Sequence, residues 1–279
     1  SRPVARRAIR FPRRKRAFRG RARGRGNFRR MATDVLGWRR LYGVIGPSTN
    51  TVVQPDYDAM RPRGVTNHHS RIFTPDATAI SDATFMAATE VISGNVVAAV
   101  RSVMTCKPQR LVMGMSAITF YGGAAGADAF ARRLEAEAGV PVTIGAHACT
   151  AALAALGGIR RIALLTPYYP VANAEVRRYF ADHGIETVRD VALRCPSWTA
   201  IAQVTEDRCR TALRGLDGPD VDALVQVGTN LSMLRLADEA ERWLGKPVVA
   251  INAATYWHAL RADGITDRMD GFGSLLAAH

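Results

Sequence analysis

From Arg40 onward, short runs of β-branched and other apolar residues alternate with longer Ala-rich stretches whose apolar positions recur at helical spacing. Runs of the first kind suit strands buried on both faces, and the second kind suits amphipathic helices laid over them. The alternation predicts an α/β fold with a parallel sheet covered by helices. Strands are predicted at 41–45, 69–73, 110–113, 142–144, 161–165, 186–191, 223–227 and 247–251, and helices at 81–105, 126–138, 148–156, 171–183, 198–213, 231–244 and 254–262. Glu-Ala-Gly-Val-Pro at 137–141 and Leu-Gly-Lys-Pro at 244–247 each stop a helix with Gly and open a strand after Pro. Their similarity predicts two pseudo-symmetric small parallel-sheet domains with an interdomain cleft. The seam is expected at Gly157 and Gly158, giving one domain over 31–158, joined by the C-terminal segment 258–279, and another over 159–257.

Composition adds a full-sized core: 48% of the 279 residues are hydrophobic and 22% are charged, which excludes collagen, coiled coil and wholesale disorder. The formal net charge of +14 is local. Ser1 to Arg30 contains 13 Arg, one Lys and no acid, which leaves 24 basic and 24 acidic residues from Met31 to His279. That first stretch has too little apolar surface to offset the entropy of ordering it, so disorder is expected. It reads in three ways: an arm that holds nucleic acid through its arginines and Phe11, Phe18 and Phe28, an organellar leader, or a solvated extension ahead of Met31. A leader is usually Ser-rich, whereas Ser1 is the sole hydroxyl residue here, and we favour the extension because Met31-Ala-Thr-Asp opens like an ordinary N-terminus. Nucleic acid is thus expected as a partner only through residues 1–30.

No uninterrupted run of about 18 apolar residues occurs, so no membrane-spanning helix is expected. Cys106, Cys149, Cys195 and Cys209 form no C-x-x-C pair and no His-rich spacing, which argues against a zinc site and a disulfide framework. A cytoplasmic location suits them.

In open parallel sheets ligands bind beyond the carboxyl ends of the strands, where helix N-termini offer unpaired N–H groups. Those junctions read Gly46-Pro47-Ser48-Thr49-Asn50-Thr51, Gly114-Met115-Ser116-Ala117, Thr166-Pro167-Tyr168-Tyr169 and Gly228-Thr229-Asn230-Leu231. Each Ser, Thr or Asn could simply cap its helix. Convergence of several such loops on one cleft would instead suit a small carboxylate or dicarboxylate. Walker, G-x-G-x-x-G, G-x-S-x-G and H-E-x-x-H motifs are all missing from the expected places, so no cofactor and no metal are expected.

Pro-Ser-Thr-Asn-Thr at 47–51, Leu-Val-Met-Gly-Met-Ser with Thr-Phe-Tyr-Gly-Gly within 111–123, Leu-Thr-Pro-Tyr at 165–168, and Gly-Lys-Pro-Val-Val with Tyr-Trp-His-Ala-Leu-Arg within 245–261 appear in order. This set resembles the arylmalonate decarboxylase and maleate isomerase branch of the aspartate/glutamate racemase superfamily. The resemblance covers residues 40–272. It implies two α/β domains, a cleft for small carboxylates, no metal, and one or two cysteines serving as acid, base or nucleophile.

By that resemblance Asn50 matches a carboxylate-binding asparagine and Tyr168 an active-site tyrosine. Gly114, Met115 and Ser116 fall at the first catalytic loop, where the decarboxylase has glycine followed by hydroxyl residues and the isomerases have cysteine. Gly228, beside Thr229 and Asn230, falls where the second cysteine belongs. Neither position carries a thiol. Tyr168, Ser116 and Thr229 are therefore the catalytic candidates, with Ser48, Asn50, Thr51, Gly114, Met115, Gly228 and Asn230 as substrate contacts.

Other proton donors considered are Cys149, placed by the predicted helix near its N-terminus, where a thiol pKa falls, the histidines His68, His69 and His147, and the acids Asp56 and Asp58. Ser197 and Trp198, and Tyr256, Trp257 and His258, are candidate pocket walls, although ordinary packing explains them equally well. A cysteine restored at position 228 is expected to introduce proton transfer. The function expected is a cofactor-independent decarboxylase or isomerase of a small carboxylate using non-cysteine chemistry, decarboxylation being favoured by Gly-Met-Ser in the first loop. The alternative is a carboxylate-metabolite binding protein without turnover. Further copies of the chain, in a homo-oligomer, are the other partner considered.

Overall fold

In the first half of the chain β1 (Arg40–Pro47), α1 (Val53–Ala59), β2 (Val65–Ile72), α2 (Asp82–Met104), β3 (Arg110–Met113), α3 (Gly123–Ala138), β4 (Val142–Thr143) and α4 (Gly145–Ala155) follow one another. The second half continues with β5 (Arg161–Thr166), α5 (Pro170–Asp182), β6 (Glu186–Ala192), α6 (Glu206–Leu216), β7 (Ala223–Gln226), α7 (Leu234–Leu244), β8 (Val248–Ala250), α8 (Ile251–Ala262) and α9 (Ser274–Ala278). These assignments come from a computed structural model that describes residues 34–78 and 81–279. The segment 1–30, with the three readings of its arginines, lies outside the described residues.

Two four-stranded sheets result, ordered β2-β1-β3-β4 and β6-β5-β7-β8, and every pairing is parallel. The same order in both sheets is the pseudo-symmetry expected from the paired glycine stops. Those stops are real caps: Gly139 ends α3 and Gly245 ends α7, each in the left-handed region that glycine enters without a Cβ penalty. The central strands β1, β3, β5 and β7 are almost wholly buried, as strands covered on both faces must be.

Three of the differences from the expectation have clear physical reasons. β2 begins at Val65 rather than His69, because its Thr-Asn-His-His-Ser stretch is a half-buried edge strand whose polar side chains hide the signal. The helix predicted over 198–213 is broken. Ala200–Gln203 form one 3-10 turn, Val204 is extended, and Thr205 restarts the chain as the cap of α6 by accepting the Arg208 N–H. The short α1 shows no periodicity across its seven residues and went unpredicted.

By length and composition α2 could cross a membrane, contrary to the expectation drawn from uninterrupted apolar runs. In the fold its Phe85, Ile92, Val96, Val100 and Val103 are buried, and the helix packs on β1, β2 and α3. Ser81 starts it with a reciprocal capping box involving Thr84.

After β8 the chain returns to the first sheet. α8 packs on α1, α4 and β3, and Tyr42 donates its hydroxyl proton to the Ala259 carbonyl. Asp263, just beyond α8, accepts from Nε and Nη2 of the buried Arg110 at 3.0 and 2.9 Å, and Arg40 pairs with the same carboxylate at 3.1 Å. The Arg110 and Asp263 side chains are only 9% and 7% exposed, so neither charge can fall back on water. Asp263→Ala is therefore expected to cost about 3–5 kcal/mol by stranding the Arg110 guanidinium, read as a lowered urea midpoint at unchanged slope.

Candidate functional site

The carboxyl ends of β1 and β3 from one sheet meet those of β5 and β7 from the other. Between them lies a pocket lined by Pro47, Thr49, Asn50, Ile92, Met115, Ser116, Ala117, Tyr168, Trp198, Ile201, Gly228, Thr229 and Asn230. Its free volume is about 30 Å³, enough for a carboxylate-sized group where one water needs ~10–15 Å³. No lining side chain carries a formal charge.

Hydrogen bonds across the sheets hold these loops in place. Asn50 Nδ2 donates to Thr229 Oγ1 at 3.1 Å, and Thr229 Oγ1 donates to the Gly114 carbonyl at 3.1 Å. Asn230 accepts the Thr51 N–H and donates to the Trp198 carbonyl at 2.9 Å. Asn50 Oδ1 accepts the N–H groups of Val52 and Val53, which makes it a cap for the start of α1 as well as a pocket wall. The Ser116 and Tyr168 hydroxyls lie 2.7 Å apart, both buried. Burial raises the Tyr168 phenol well above its ordinary value, although the Ser116 hydrogen bond pulls the other way. The phenol therefore keeps its proton at neutral pH.

The backbone N–H groups of Met115 and Ser116 on one side, and of Gly228, Thr229 and Asn230 on the other, have no acceptor among the described residues. An unpaired buried N–H is costly, so such groups await an acceptor. Two sets of them lie at two strand ends that border the pocket.

Of the predicted contacts, Asn50, Met115, Ser116, Tyr168, Gly228, Thr229 and Asn230 surround this one pocket. Ser48, Thr51 and Gly114 sit behind it. Ser48 Oγ accepts the Thr74 N–H, Thr51 is tied to Asn230, and Gly114 offers its carbonyl to Thr229.

The other titratable candidates stand outside the lining. Cys149 lies a full turn inside α4, because that helix starts at Gly145 rather than Ala148, and burial pushes its thiol up to about 12 instead of down. Cys195 and Cys209 are likewise raised by burial, Cys209 to about 11, and Cys106 is exposed. His68 and His69 lie on β2, where burial drives His69 down to about 4, and His147 pairs with Asp128 on the flank of α4. Asp58 binds Asn67 near the surface. Tyr256 stacks on Tyr57 and Tyr42, so it and its neighbours Trp257 and His258 belong to the packing of α8, not to the pocket wall.

Two residues that sequence reasoning did not raise support the site. Asn252 Nδ2 donates both to Asp56 Oδ2 at 2.8 Å and to the Thr229 carbonyl at 3.0 Å, which links α1 and α8 to the β7 loop. Phe85 packs its ring within 5.5 Å of Tyr168 and 5.2 Å of Trp198. Neither carries a motif; only a long-range contact reveals them.

A family model described as arylmalonate decarboxylase matches residues 43–276. The chain belongs to the arylmalonate decarboxylase family. Arylmalonate decarboxylase of Bordetella bronchiseptica is 32% identical over 169 residues, covering 59% of this chain and 69% of that protein. Maleate isomerase of Nocardia farcinica is 30% identical over 118 residues, or 42% of this chain and 47% of that relative. A solved variant of the Nocardia farcinica maleate cis-trans isomerase, with a covalently bound succinylcysteine intermediate, has a TM-score of 0.77 at 23% identity, covering 86% of this chain and 99% of that one. That structural likeness establishes the fold, and the racemase-like branch suggested by the motifs is the right one. The arylmalonate decarboxylase family thus accounts for both sheets and the pocket between them, and the relatives named are enzymes.

Gly228 adopts φ +126°, and a Cβ there would lie 2.4 and 2.6 Å from Cδ and Cγ of Pro167. The expectation that a cysteine at this position restores proton transfer meets a steric obstacle. Gly228→Cys and Gly228→Ala should both lose about 1–3 kcal/mol of stability from backbone strain alone, measured by urea unfolding, and Gly228→Cys should gain no exchange activity. Asp56 generates a second test. Burial pushes its carboxyl up to about 6, against the opposing Asn252 hydrogen bond and Arg235 charge. Since the folded value lies above the ordinary ~3.9, the carboxyl's contribution is complete below about pH 4 and is lost as pH rises through about 6. Asp56→Asn should flatten the fall in stability across that window, followed by urea midpoints at successive pH values.

Proposed function

We propose that this chain decarboxylates or isomerises a small carboxylate or dicarboxylate, with no cofactor and no cysteine in the reaction. The observation that carries the reading is the uncharged pocket whose lining combines five residues with backbone N–H groups that have no acceptor among the described residues and the Ser116–Tyr168 hydroxyl pair. Donors fixed in a dry site bind a carboxylate, and bind it harder as its charge grows toward an enediolate.

Decarboxylation is the preferred reaction, because the first loop is Gly114-Met115-Ser116, with glycine followed by a hydroxyl residue where the resemblance gives an isomerase a cysteine. In that step the bond between the α-carbon and the departing carboxyl breaks, CO2 leaves, and the electron pair passes into the retained carboxylate as an enediolate. The N–H groups of the β3 and β7 loops hold that charge. Tyr168 Oη then gives its proton to the carbon and recovers one from water through Ser116 Oγ. A phenol with a raised pKa is a weak acid, but an enediolate carbon is a far stronger base than a phenolate. A route without the thiol named in the succinylcysteine intermediate of the Nocardia farcinica isomerase is supported by a pocket lining that includes no cysteine. Four unpaired cysteines suit a reducing cytoplasm.

A second reading, carboxylate binding without turnover, is favoured by one observation: no lining side chain among the described residues titrates near neutrality. Carbon-acid exchange in heavy water separates the two. Exchange or CO2 release from a malonate supports the enzyme, whereas thermal stabilisation by the ligand without either supports the binder.

For the enzyme, Tyr168→Phe should lower turnover by about 10²–10⁴ with little change in KM, as expected for a lost proton donor. Asn50→Ala and Thr229→Ala should each weaken ligand binding by about 1–3 kcal/mol in calorimetric titration, because each loosens the loop that aims the backbone donors. Unchanged affinity in both would remove the carboxylate from this pocket.

A further inference from the structure

The pocket wall contributed by the second sheet includes a polar group that the reaction above does not use. Trp198 lines the pocket and is 7% exposed, yet its indole Nε1 has no hydrogen-bond partner. A buried indole N–H normally finds an acceptor, and leaving one unpaired disfavours the empty site. Trp243 and Trp257 also leave their indole N–H unpaired, but neither lines the pocket, so of the three only Trp198 is a lining residue.

The ring has little freedom to turn elsewhere. Asn230 Nδ2 grips the Trp198 carbonyl at 2.9 Å, and Phe85 packs its ring 5.2 Å from the indole. The following turn is pinned by Asp76, which accepts both the N–H and the hydroxyl of Thr199. Asn230 also belongs to the loop whose N–H groups lack acceptors, so one side chain ties the Trp198 backbone to that loop.

We propose that the Trp198 indole N–H is a specificity-determining donor that receives the second carboxylate of a dicarboxylate whose first carboxylate is held by the backbone N–H groups after β3 and β7. The inference rests on the carboxylate reading above. A pocket with neutral donors and no cation discriminates through directed hydrogen bonds, and a ligand lacking the second acceptor would leave the indole orphaned in the bound state as well.

The test uses the full chain and Trp198→Phe with two matched pairs, maleate against isocrotonate and methylmalonate against propionate. In each pair one carboxylate is absent from the second member. The wild-type protein should bind a dicarboxylate more tightly than its monocarboxylate counterpart. Trp198→Phe should weaken the dicarboxylate by about tenfold and its counterpart by less than about twofold, the size of one lost hydrogen bond. Equal loss on both members, or no loss on either, would overturn the inference while leaving the carboxylate site in place. If no member of either pair binds the wild-type protein, the carboxylate reading and this inference fall together.

Should Trp198→Phe fail to fold, tryptophan indole resonances in the ¹⁵N-labelled wild-type protein decide. The chain has four tryptophans, and Trp198 is assigned by elimination with Trp38→Phe, Trp243→Phe and Trp257→Phe. A downfield shift of its N–H with the dicarboxylate, and none with the monocarboxylate, supports the donor role. A stationary resonance refutes it.

Discussion

The hydrogen bond from Thr229 Oγ1 to the Gly114 carbonyl, with Asn50 donating to the same hydroxyl, is the hinge of the molecule's chemistry. It joins the end of a strand in one sheet to the end of a strand in the other at a place shielded from water. Buried polar groups must be paired, and here side chains pair with side chains and carbonyls across the seam. The Asn50, Thr229 and Asn230 side chains are thereby engaged in building the pocket wall. The successive backbone N–H groups after β3 and β7 stand in positions that no rotamer change can alter.

The pocket lining carries no formal charge. A carboxylate brought beside an arginine in a dry site would be held equally in ground state and transition state, whereas fixed dipoles aimed at one oxygen gain most when charge accumulates there. Cys149, His69 and Asp56 are kept outside the pocket lining. Cys149 is packed among alanines in the core, His69 is driven toward its neutral form within β2, and Asp56 reaches the site only through the amide of Asn252.

Two helices make the geometry durable. α2 contributes Phe85 and Ile92 to the neighbourhood of Tyr168 and Trp198, so its apolar length serves a wall of the pocket as well as the first sheet. α8 leaves the second sheet and buries itself against the first, where Asp263 meets Arg110. A charge pair so enclosed contributes less through attraction than through the penalty for misplacing either partner, which fixes where the chain returns.

Much of this was legible in the residues alone. Parallel central strands carry continuous apolar runs, so β1, β3, β5 and β7 and the glycine stops of α3 and α7 stood out, and the ordered loop motifs placed the site at the strand ends. The edge strand β2 and the broken segment before α6 did not, because polar edges carry no periodicity and a cap such as Thr205 outweighs helical spacing. Local sequence could nominate Ser48, Thr51 and Gly114 beside Asn50, Ser116 and Thr229, since all are small and polar or backbone-exposing. Only the tertiary structure sorted them, because which of them line the pocket depends on partners between 26 and 179 positions away. The same holds for Gly228: its identity is written in the chain, but the nearness of the Pro167 ring, which makes any larger residue costly, exists only once β5 and β7 lie side by side.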